Sequence, residues 1–382
     1  MGHSLHVFFS PIQNESRLDK ITKSLINLAI VDRVTIIGFW LPHLKKKEKV
    51  DENRTIVRIN FPVKNKKYTS FFTKKPIALY SHIYFTISVI IQILKVKPSY
   101  ISCHNLHLLP LSWLGKMLVN SKLIYEPHEL ETEKTGLNKN LKPFFKIIER
   151  IFIKGADKII VVSEPIKDWY SETYKLENID VIRNVPFNEF LNQPFSKSNV
   201  LREELGIDLN EIIVIYQGVI DKSRGIQELI EVFKLIPKSI HLVLMGYGDM
   251  IDMVIKESKQ SPNIHYREAV KIKEIIKYTS GADYGIFYVP FDISLSYQYS
   301  LPNKFFEYIL AGLPVIVNEN LKYLSFLIAE NKLGFVVNSD NKKLINLIKN
   351  LSKIHKFGQN IEKFRKLHGW EIEEKILVNT YE

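Results

Sequence analysis

The chain has 382 residues, of which 46% are hydrophobic and 25% charged, and its formal net charge is +12. That length exceeds what one ordinary core supports, so we expect two domains of the soluble globular class. The single cysteine, Cys103, excludes an intrachain disulfide framework and a cysteine-rich zinc site, and it favours a reducing cytoplasm.

Short apolar runs alternate with helical patterns along the first half, which predicts a parallel sheet with crossover helices. The predicted strands are Leu5–Phe9, Val34–Phe39, Thr55–Ile59, Tyr100–Ser102, Leu123–Tyr125, Lys158–Val162 and Asp180–Ile182. The predicted helices are Leu18–Leu28, Ile77–Leu94, Leu108–Leu118, Pro143–Ile153 and Pro165–Tyr174. The apolar segment Pro76–Val96 contains polar side chains and ends in lysines, so we interpret it as a buried or membrane-facing helix and not as a membrane span.

The same alternation restarts after a polar stretch, Phe187–Asn199, which we interpret as a linker. The predicted strands are Ile212–Gln217, His241–Met245, Ile264–Tyr266, Tyr284–Tyr288, Val315–Val317 and Gly334–Val337. The predicted helices are Gly225–Leu235, Ile251–Lys259, Lys271–Tyr278, Pro302–Leu310, Ile328–Asn331, Asn341–Ile354 and Glu362–Asn379. The chain is therefore predicted to be an α/β protein with two doubly wound, Rossmann-like domains facing across a cleft, where ligands bind at the carboxyl ends of the strands.

Lysines are concentrated in the first quarter of the chain. They lie at Lys45–Lys47, Lys49, Lys64, Lys66, Lys67 and Lys74–Lys75. A basic patch can bind nucleic acid, anionic lipid or an acidic substrate, and solvated loops are the plainer alternative. The sequence has no helix-turn-helix, zinc-finger or RNA-binding signature, so we predict no nucleic-acid partner.

The segment 299–316 is the most informative. Pro302 suits the first turn of a helix, whose amino end attracts phosphate through backbone N–H groups around Asn303 and Lys304. The ammonium of Lys304 adds a full positive charge. Glu307 lies one turn further along, where its carboxylate can accept hydrogen bonds from two ribose hydroxyls. The alternative is that Lys304 and Glu307 form an exposed pair on the helix surface.

Two glycine-rich turns follow strands of the same predicted sheet. In the first, Gly218 allows close backbone approach, Gly225 opens a helix, and Arg224 can donate two hydrogen bonds to a diphosphate. The alternative for Arg224 is a solvated loop residue. In the second turn, Gly246 and Tyr247 could lie against a base or ribose, although a lone Gly-x-Gly is weak support.

His128 and Glu129 are the candidate catalytic residues of the first half, because they come directly after a strand. A histidine in that position can orient a sugar hydroxyl or share a proton, and the alternative is a core histidine bonded to the backbone. His104 follows another strand in the same way, and there we favour the core interpretation. The spacing of His104, His107 and His128 matches no metal-ligand signature, so we predict no metal site.

Seven segments in order resemble the retaining GT-B glycosyltransferases of the large family-four type, which includes many bacterial polysaccharide and lipid-linked sugar transferases. They are Ser16-Arg17-Leu18, Tyr125-Glu126-Pro127-His128-Glu129-Leu130, Val162-Ser163-Glu164, Arg183-Asn184-Val185-Pro186, Gly218–Gly225, Pro302–Pro314 and Glu362–Glu382. The resemblance implies an acceptor-binding domain over 1–190, to which helix 362–382 crosses back, and a donor-binding domain over 200–358.

Roles for the candidate residues also follow from the resemblance. Gly218, Arg224, Asn303 and Lys304 would bind the donor diphosphate, and Gly246, Tyr247 and Glu307 the nucleoside. His128 would contact the transferred sugar. No cofactor or metal is expected, and a UDP-sugar is the preferred donor, with GDP- or other sugars left open.

Three departures from the family pattern stand out. Val219 replaces the usual loop arginine, while Arg224 stands where a lysine is usual. Tyr299 replaces the glutamate eight positions before Glu307, a residue that usually touches the donor sugar. The turn Ser10-Pro11-Ile12-Gln13 lacks the usual glycine pair, so acceptor handling is expected to differ.

The expected function is transfer of a sugar from a nucleotide-sugar to a glycan or lipid-linked acceptor, in surface polysaccharide or lipopolysaccharide synthesis, with retention and without metal. We expect a cytoplasmic protein, peripheral at the inner face of the membrane through its basic N-terminal domain. One alternative is another enzyme on the same fold, such as a nucleotide-sugar epimerase or a glycosyl phosphorylase. The other is a degenerate nucleotide-binding or scaffold subunit, which Val219 and Tyr299 favour.

Overall fold

A computed structural model describes residues 2–13, 15–61, 76–186, 197–351 and 357–381, without the side chains of 76–79. The chain divides into two compact units. Unit 1 comprises Met1–Arg183 and Glu374–Glu382, and unit 2 comprises Asn184–Glu373. The predicted domain ranges stay predictions beside these observed bounds.

Unit 1 is built on an eight-stranded sheet. Its strands are β1 His3–Val7, β2 Arg33–Trp40, β3 Lys47–Lys49, β4 Arg54–Asn60, β5 Tyr100–Cys103, β6 Lys122–Tyr125, β7 Lys158–Val161 and β8 Ile179–Val181. The order across the sheet is β3-β4-β2-β1-β5-β6-β7-β8, and all neighbours are parallel except β3 and β4. The parallel strands are short apolar runs because helices cover both faces of such a sheet.

The helices of unit 1 follow the strands in alternation. They are α1 Ser16–Asn27, α2 Pro76–Val96, α3 Leu109–Val119, α4 Lys142–Phe152 and α5 Glu164–Tyr174. The carboxyl-terminal helix, α15 Trp370–Tyr381, adds its last turns to the same unit. There the hydroxyl of Tyr381 lies 2.7 Å from Ser102 Oγ, and Thr380 Oγ1 donates to Asp180 Oδ2 at 2.9 Å. These bonds join the end of the chain to the sheet of unit 1.

Unit 2 contains a six-stranded parallel sheet. Its strands are β9 Ile212–Val219, β10 Ile240–Tyr247, β11 Ile264–Glu268, β12 Tyr284–Phe287, β13 Val315–Asn318 and β14 Gly334–Val337, in the order β11-β10-β9-β12-β13-β14. The order reverses direction between β9 and β12, which is the switch point where open α/β sheets bind ligands. A core that includes Val214, Leu242 and Ile286 is fully buried beneath the helices.

The helices of unit 2 number nine in the part that the structure describes. They are α6 Val200–Leu205, α7 Ile226–Phe233, α8 Ile251–Gln260, α9 Ile275–Thr279, α10 Leu295–Tyr299, α11 Asn303–Leu310, α12 Lys322–Glu330, α13 Asn341–Lys349 and α14 Gly358–Leu367. Helix α11 begins at Asn303, one residue after the predicted Pro302, which precedes the helix in extended conformation and loses no backbone hydrogen bond there.

The predicted α/β class with two doubly wound sheets is confirmed, and the differences are local. The sequence analysis missed β3, α6 and α10, which are too short to show a hydrophobic period. Helix α12 begins six residues before the predicted Ile328, and the predicted helix Glu362–Asn379 is two helices, α14 and α15. The break between them contains Gly369, and the backbone N–H of Trp370 donates to Pro186 O at 2.9 Å.

Two groups of sequence predictions are limited by the described ranges. Lys64, Lys66, Lys67 and Lys74–Lys75 lie outside the described residues, as does 187–196 of the predicted linker. Among the helices that are described, none has both the length and the apolar character needed to cross a membrane.

Candidate functional site

Lys304 is the second residue of α11 and lies against the sheet of unit 2. Its Nζ is 3.9 Å from the ring centroid of Tyr216 and 4.8 Å from that of Phe287. Burial, together with the nearby charge of Arg224, lowers the pKa of Lys304 to about 7. The ammonium is therefore held by ring faces and loses its proton far more easily than an exposed lysine.

Arg224 ends a short turn of 3₁₀ helix, Lys222–Arg224, directly after β9. Asp221 caps this turn, because its Oδ1 accepts from Ser223 N at 2.8 Å and from Ser223 Oγ at 2.6 Å. The guanidinium carbon of Arg224 lies 4.6 Å from the ring centroid of Tyr297. The cap and the stacking ring together fix the direction of this arginine.

Two glycines in this region, Gly225 and Gly246, are required by close backbone contacts, and a third, Gly218, is favoured by its positive φ. A Cβ on Gly225, which has φ +69°, would lie 1.9 Å from Tyr288 O, and one on Gly246 would lie 1.8 Å from Gly218 O. Gly218 has φ +120°, and a Cβ there would contact the Lys304 side chain at 3.8 Å. Contact between β9 and β10 therefore accounts for Gly246 without any ligand.

Glu307 lies one helical turn after Lys304 and is held by a glutamine that the sequence analysis missed. Gln217 Nε2 donates to Glu307 Oε2, while Gln217 Oε1 accepts from Thr279 Oγ1 at 2.7 Å. Gln217 is buried at the carboxyl end of β9. Its signal in the sequence is one amide side chain at the end of an otherwise apolar strand, where a buried polar group needs partners.

The remaining predicted residues of unit 2 lie at its surface. Asn303 is exposed at the start of α11, where its Oδ1 accepts from Asn184 Nδ2 at 2.6 Å. Tyr247 ends β10 with 62% of its surface exposed. Tyr299 ends α10 and is half-buried.

The electrostatics of this cluster favour an anion. Within the described residues, neither Lys304 nor Arg224 has a carboxylate oxygen within the 4.0 Å of an ion pair. A phosphate or diphosphate would supply the anionic partner of both cations, because its oxygens can accept charge-assisted hydrogen bonds from both side chains.

In unit 1 three histidines form a hydrogen-bonded series across neighbouring strands. His6 lies in β1, His104 directly follows β5, and His128 follows β6 after two residues. His6 Nδ1 is 3.0 Å from His104 Nε2, and His104 Nδ1 is 3.0 Å from His128 Nε2. The series ends at Ser4, whose Oγ is 3.1 Å from His6 Nε2. We call these four residues the histidine chain.

All three rings of the histidine chain are neutral at pH 7. Burial lowers the pKa of His6 and of His104 to about 3, and it also lowers that of His128. A neutral imidazole carries one N–H, so each ring must donate in one direction and accept from the other. The tautomer of His128, whose side chain is 28% exposed, is thus tied to those of the fully buried rings.

A buried ion pair lies beside the histidine chain. Arg17 Nε donates to Glu126 Oε1 at 2.7 Å, and Arg17 Nη1 donates to Ile182 O at 2.7 Å. Neither Arg17 nor Glu126 was among the predicted site residues, although both stand in the motifs quoted above. The signal for Glu126 was a charged residue directly after the apolar strand β6, whereas Arg17 is flanked mostly by polar residues and gave no such signal.

His104, Glu126 and His128 have side-chain ligand atoms within 4.8 Å of one another, a grouping that could hold a metal ion. Two observations oppose a cation there. The guanidinium of Arg17 already engages Glu126 Oε1, and His104 Nδ1 is hydrogen-bonded to His128 Nε2. One observation favours a cation: Glu126 Oε2 is buried without a hydrogen-bond partner. The donor set fits a hydrogen-bonded network better than a divalent cation.

Glu129, the second predicted catalytic residue, lies one position after His128. Its side chain is 46% exposed, and its Oε1 is 3.9 Å from Lys134 Nζ. His107, the third histidine considered for metal, packs against the ring of Phe9 with ring centroids 5.0 Å apart and is not in the grouping.

Two family models match consecutive parts of the chain. Glycosyltransferase Family 4 matches residues 32–185, and the C-terminal domain of Glucosyltransferase 3-like proteins matches residues 221–369. A curated relative, alpha-maltose-1-phosphate synthase of Mycolicibacterium smegmatis, is 27% identical over 139 residues. That alignment covers 34% of this chain and 36% of the relative, so the chain spans about a third of the relative's length in the match.

Solved structures resemble the chain over nearly its whole length. Sucrose-phosphate synthase from Thermosynechococcus elongatus has a TM-score of 0.75 at 16% identity, covering 98% of this chain and 97% of its own. Anabaena HepE in complex with UDP-glucose has a TM-score of 0.73 at 12% identity, covering 100% and 99%. With the two parallel sheets, these likenesses confirm the predicted GT-B fold.

Proposed function

We propose that this chain, a glycosyltransferase of the family-four type with the GT-B fold, moves a sugar from a nucleotide-sugar donor to a glycan or lipid-linked acceptor. The observation that carries the proposal is the cluster of Lys304, Arg224 and Glu307 at the carboxyl end of β9. Among the described residues neither Lys304 nor Arg224 has a carboxylate within ion-pair distance, and Lys304 lies one helical turn before Glu307, whose carboxylate is held by Gln217. That spacing suits a diphosphate next to a ribose.

The proposed reaction places negative charge on the departing diphosphate. Lys304 and Arg224 stabilise that charge as the bond from the sugar to the phosphate breaks, aided by the amino end of α11. Glu307 accepts hydrogen bonds from the ribose hydroxyls. The acceptor hydroxyl attacks the face from which the diphosphate leaves, and its proton passes to the leaving phosphate, so that the configuration is retained.

In unit 1 we assign His128 to a hydroxyl of the transferred sugar. The ring is neutral, so it can donate or accept one hydrogen bond from Nδ1, depending on which way the histidine chain is oriented. The side chain of Glu129 is 46% exposed, which suits a contact with the acceptor.

The donor and place of action are further parts of the proposal. HepE, solved with UDP-glucose, supports a UDP-sugar, with GDP- or other nucleotide-sugars as alternatives. The acceptor would belong to polysaccharide or lipopolysaccharide synthesis, at the cytoplasmic face of a membrane. No cofactor and no metal are required, because side chains and a helix end supply the positive charge.

The first test is thermal unfolding against UDP, GDP, CMP, ADP and dTDP, with magnesium or with EDTA. A nucleotide at 100 times its dissociation constant should stabilise the protein by about 2.7 kcal/mol. The expected result is stabilisation by one nucleotide in EDTA, lost in Glu307→Ala. Stabilisation only with magnesium, or equal binding by Glu307→Ala, would contradict the proposal.

The role of His128 is tested by turnover. His128→Ala should lower kcat by about 10- to 100-fold while nucleotide affinity is unchanged, since the ring is proposed to position the transferred sugar through one hydrogen bond and not to contact the nucleotide. His3→Ala, at the amino end of β1 and outside the histidine chain, is the control. Full activity of His128→Ala would make the ring structural, and nucleotide binding by the wild type without any transfer would favour a scaffold subunit.

A further inference from the structure

Exposed apolar side chains are concentrated on three helices of unit 1. Of the 22 large hydrophobic residues that are exposed in the described part of the chain, 12 lie on α2, α3 and α4. They are Tyr80, Ile83, Tyr84, Ile87, Ile91 and Leu94 on α2, Leu114, Met117 and Leu118 on α3, and Phe144, Ile147 and Ile151 on α4. We call these 12 residues the apolar face.

The connections of the sheet put these helices side by side. Helix α2 connects β4 to β5, α3 connects β5 to β6, and α4 connects β6 to β7. All three crossovers proceed in the same direction along the sheet, so right-handed connections place the helices on one side of it. Helix α2 packs on α3, and α3 packs on α4. Their outward surfaces are therefore contiguous.

Helix α2 shows that the apolar face is not the result of a poorly packed core, because this helix is apolar on two sides. Phe85, Val89 and Ile93 are buried at intervals of four residues and face the sheet. On the opposite side, Ile87, Ile91 and Leu94 recur at the same helical spacing but are each exposed by more than 40%. A helix that is apolar on both sides has a second apolar partner, since soluble monomers rarely expose patches of this size.

On α2, α3 and α4 themselves, every described charged side chain that is not fully buried is basic, although Asp157 pairs with Lys116 of α3 and Glu133 pairs with Lys142 and Lys146 of α4. Between Tyr80 and Tyr125 the chain contains four lysines and no Asp or Glu. The only carboxylate on α4 is Glu149, which is fully buried and accepts hydrogen bonds from three tyrosines. Lys95, Lys97, Arg150 and Lys154 are exposed next to the apolar side chains. A basic rim around an apolar centre is complementary to anionic lipid.

We propose that the apolar face docks on an anionic bilayer surface, with the side chains of α2, α3 and α4 inserted to the depth of the acyl boundary. Tyr80 and Tyr84, whose rings are 6.4 Å apart, lie at the amino end of α2, where amphipathic rings suit the headgroup region. A second copy of the chain fits less well. A symmetric interface would bring the basic rims of both copies together.

This inference deepens the proposed function, because it names the surface that would bring unit 1 to a lipid-linked acceptor. It also locates the predicted membrane contact of the basic N-terminal domain on the helices of the apolar face. Part of the lysine-rich stretch 45–75 lies outside the described residues. The surface itself does not depend on the catalytic assignment.

The test is co-sedimentation of the full chain with vesicles of phosphatidylglycerol and phosphatidylcholine, and with vesicles of phosphatidylcholine alone. The wild type should bind the anionic vesicles and release as salt rises. Ile87→Glu and Ile147→Glu should each reduce binding at least tenfold. The matched control is Leu209→Glu, since Leu209 is 71% exposed in unit 2 and outside the apolar face. Arg150→Glu should reduce binding by at least fivefold.

Nucleotide affinity and sedimentation velocity separate the outcomes. Ile87→Glu should keep the wild-type nucleotide affinity. If the wild type binds anionic vesicles but no nucleotide, the proposed function is rejected and the inference about the apolar face is retained. Equal vesicle binding by Ile87→Glu and Leu209→Glu would overturn the inference. So would a wild-type dimer that Ile87→Glu dissociates and that does not bind vesicles, because the face would then belong to a second copy.

Discussion

The two units carry their polar groups at the same place, the carboxyl ends of parallel strands, but satisfy them differently. In unit 1, His6, His104 and His128 bond to one another, and Glu126 pairs with Arg17. In unit 2, the cations of Lys304 and Arg224 rest on tyrosine rings and have no carboxylate within ion-pair distance among the described residues. Groups that bond mainly to one another hold a geometry, whereas charges without a carboxylate partner attract a ligand.

The difference predicts opposite responses to substitution. Removing a charge from the network of unit 1 should lower the stability of the fold, because a buried partner is left unpaired. Removing a charge from the cluster of unit 2 should lower ligand affinity and leave stability nearly unchanged. Four substitutions test this contrast.

The largest effect is expected from Arg17→Met. The carboxylate of Glu126 would stay buried without its guanidinium, at a cost of about 3–5 kcal/mol in the free energy of unfolding. Urea denaturation measures this change. The control is Arg33→Met, at an exposed position of β2, which should cost less than about 0.5 kcal/mol. Similar losses in the two variants would mean that the buried pair is not a stabilising element.

Arg224→Ala is expected to act on affinity. Loss of its charge-assisted hydrogen bonds should weaken nucleotide binding by about 10- to 100-fold, or roughly 1.5–3 kcal/mol, as measured by calorimetry. Lys222→Ala removes an exposed cation from the same turn and should change the affinity about twofold at most. If Lys222→Ala weakened binding as much, the field of the turn and not the guanidinium would hold the phosphate.

His6→Phe tests whether the histidine chain transmits to His128. The ring shape is kept, but His104 Nε2 loses its partner, so stability should fall by about 1–3 kcal/mol. If the chain sets the tautomer of His128, kcat should also fall while KM for the nucleotide-sugar is constant, and His6→Gln should restore part of kcat. A change in stability alone would reduce His6 to a packing role.

The smallest effect concerns pH. The pKa of Lys304 is about 7 without ligand, and a bound diphosphate favours the charged form and raises that pKa. Affinity for the nucleotide-sugar should thus be constant below pH 7 and fall as pH rises above 7, by at most about tenfold per unit. A nucleotide-sugar avoids the titrating terminal phosphate of a free nucleotide. Lys304→Arg should flatten the profile, and a wild-type profile that is flat to pH 9 would contradict this.

Much of unit 2 could be predicted because its signals are local. Pro302 before a periodic segment predicts the start of α11, and Gly225 after an apolar run predicts the turn that presents Arg224. Lys304 and Glu307 then follow from helical spacing. What could not be predicted there was Gln217, since its partners Glu307 and Thr279 lie 90 and 62 residues further along the chain.

By itself the sequence determined the α/β class, the order of the main helices and strands, and the residues at the start of α11, because hydrophobic period, proline and glycine act within a few residues. Only the tertiary structure decided that His6, His104 and His128 are in series, because parallel pairing aligns β1, β5 and β6 from distant parts of the chain. It also decided which apolar side chains of α2, α3 and α4 are exposed. Burial depends on which elements pack together, and the composition of a single helix does not contain that information.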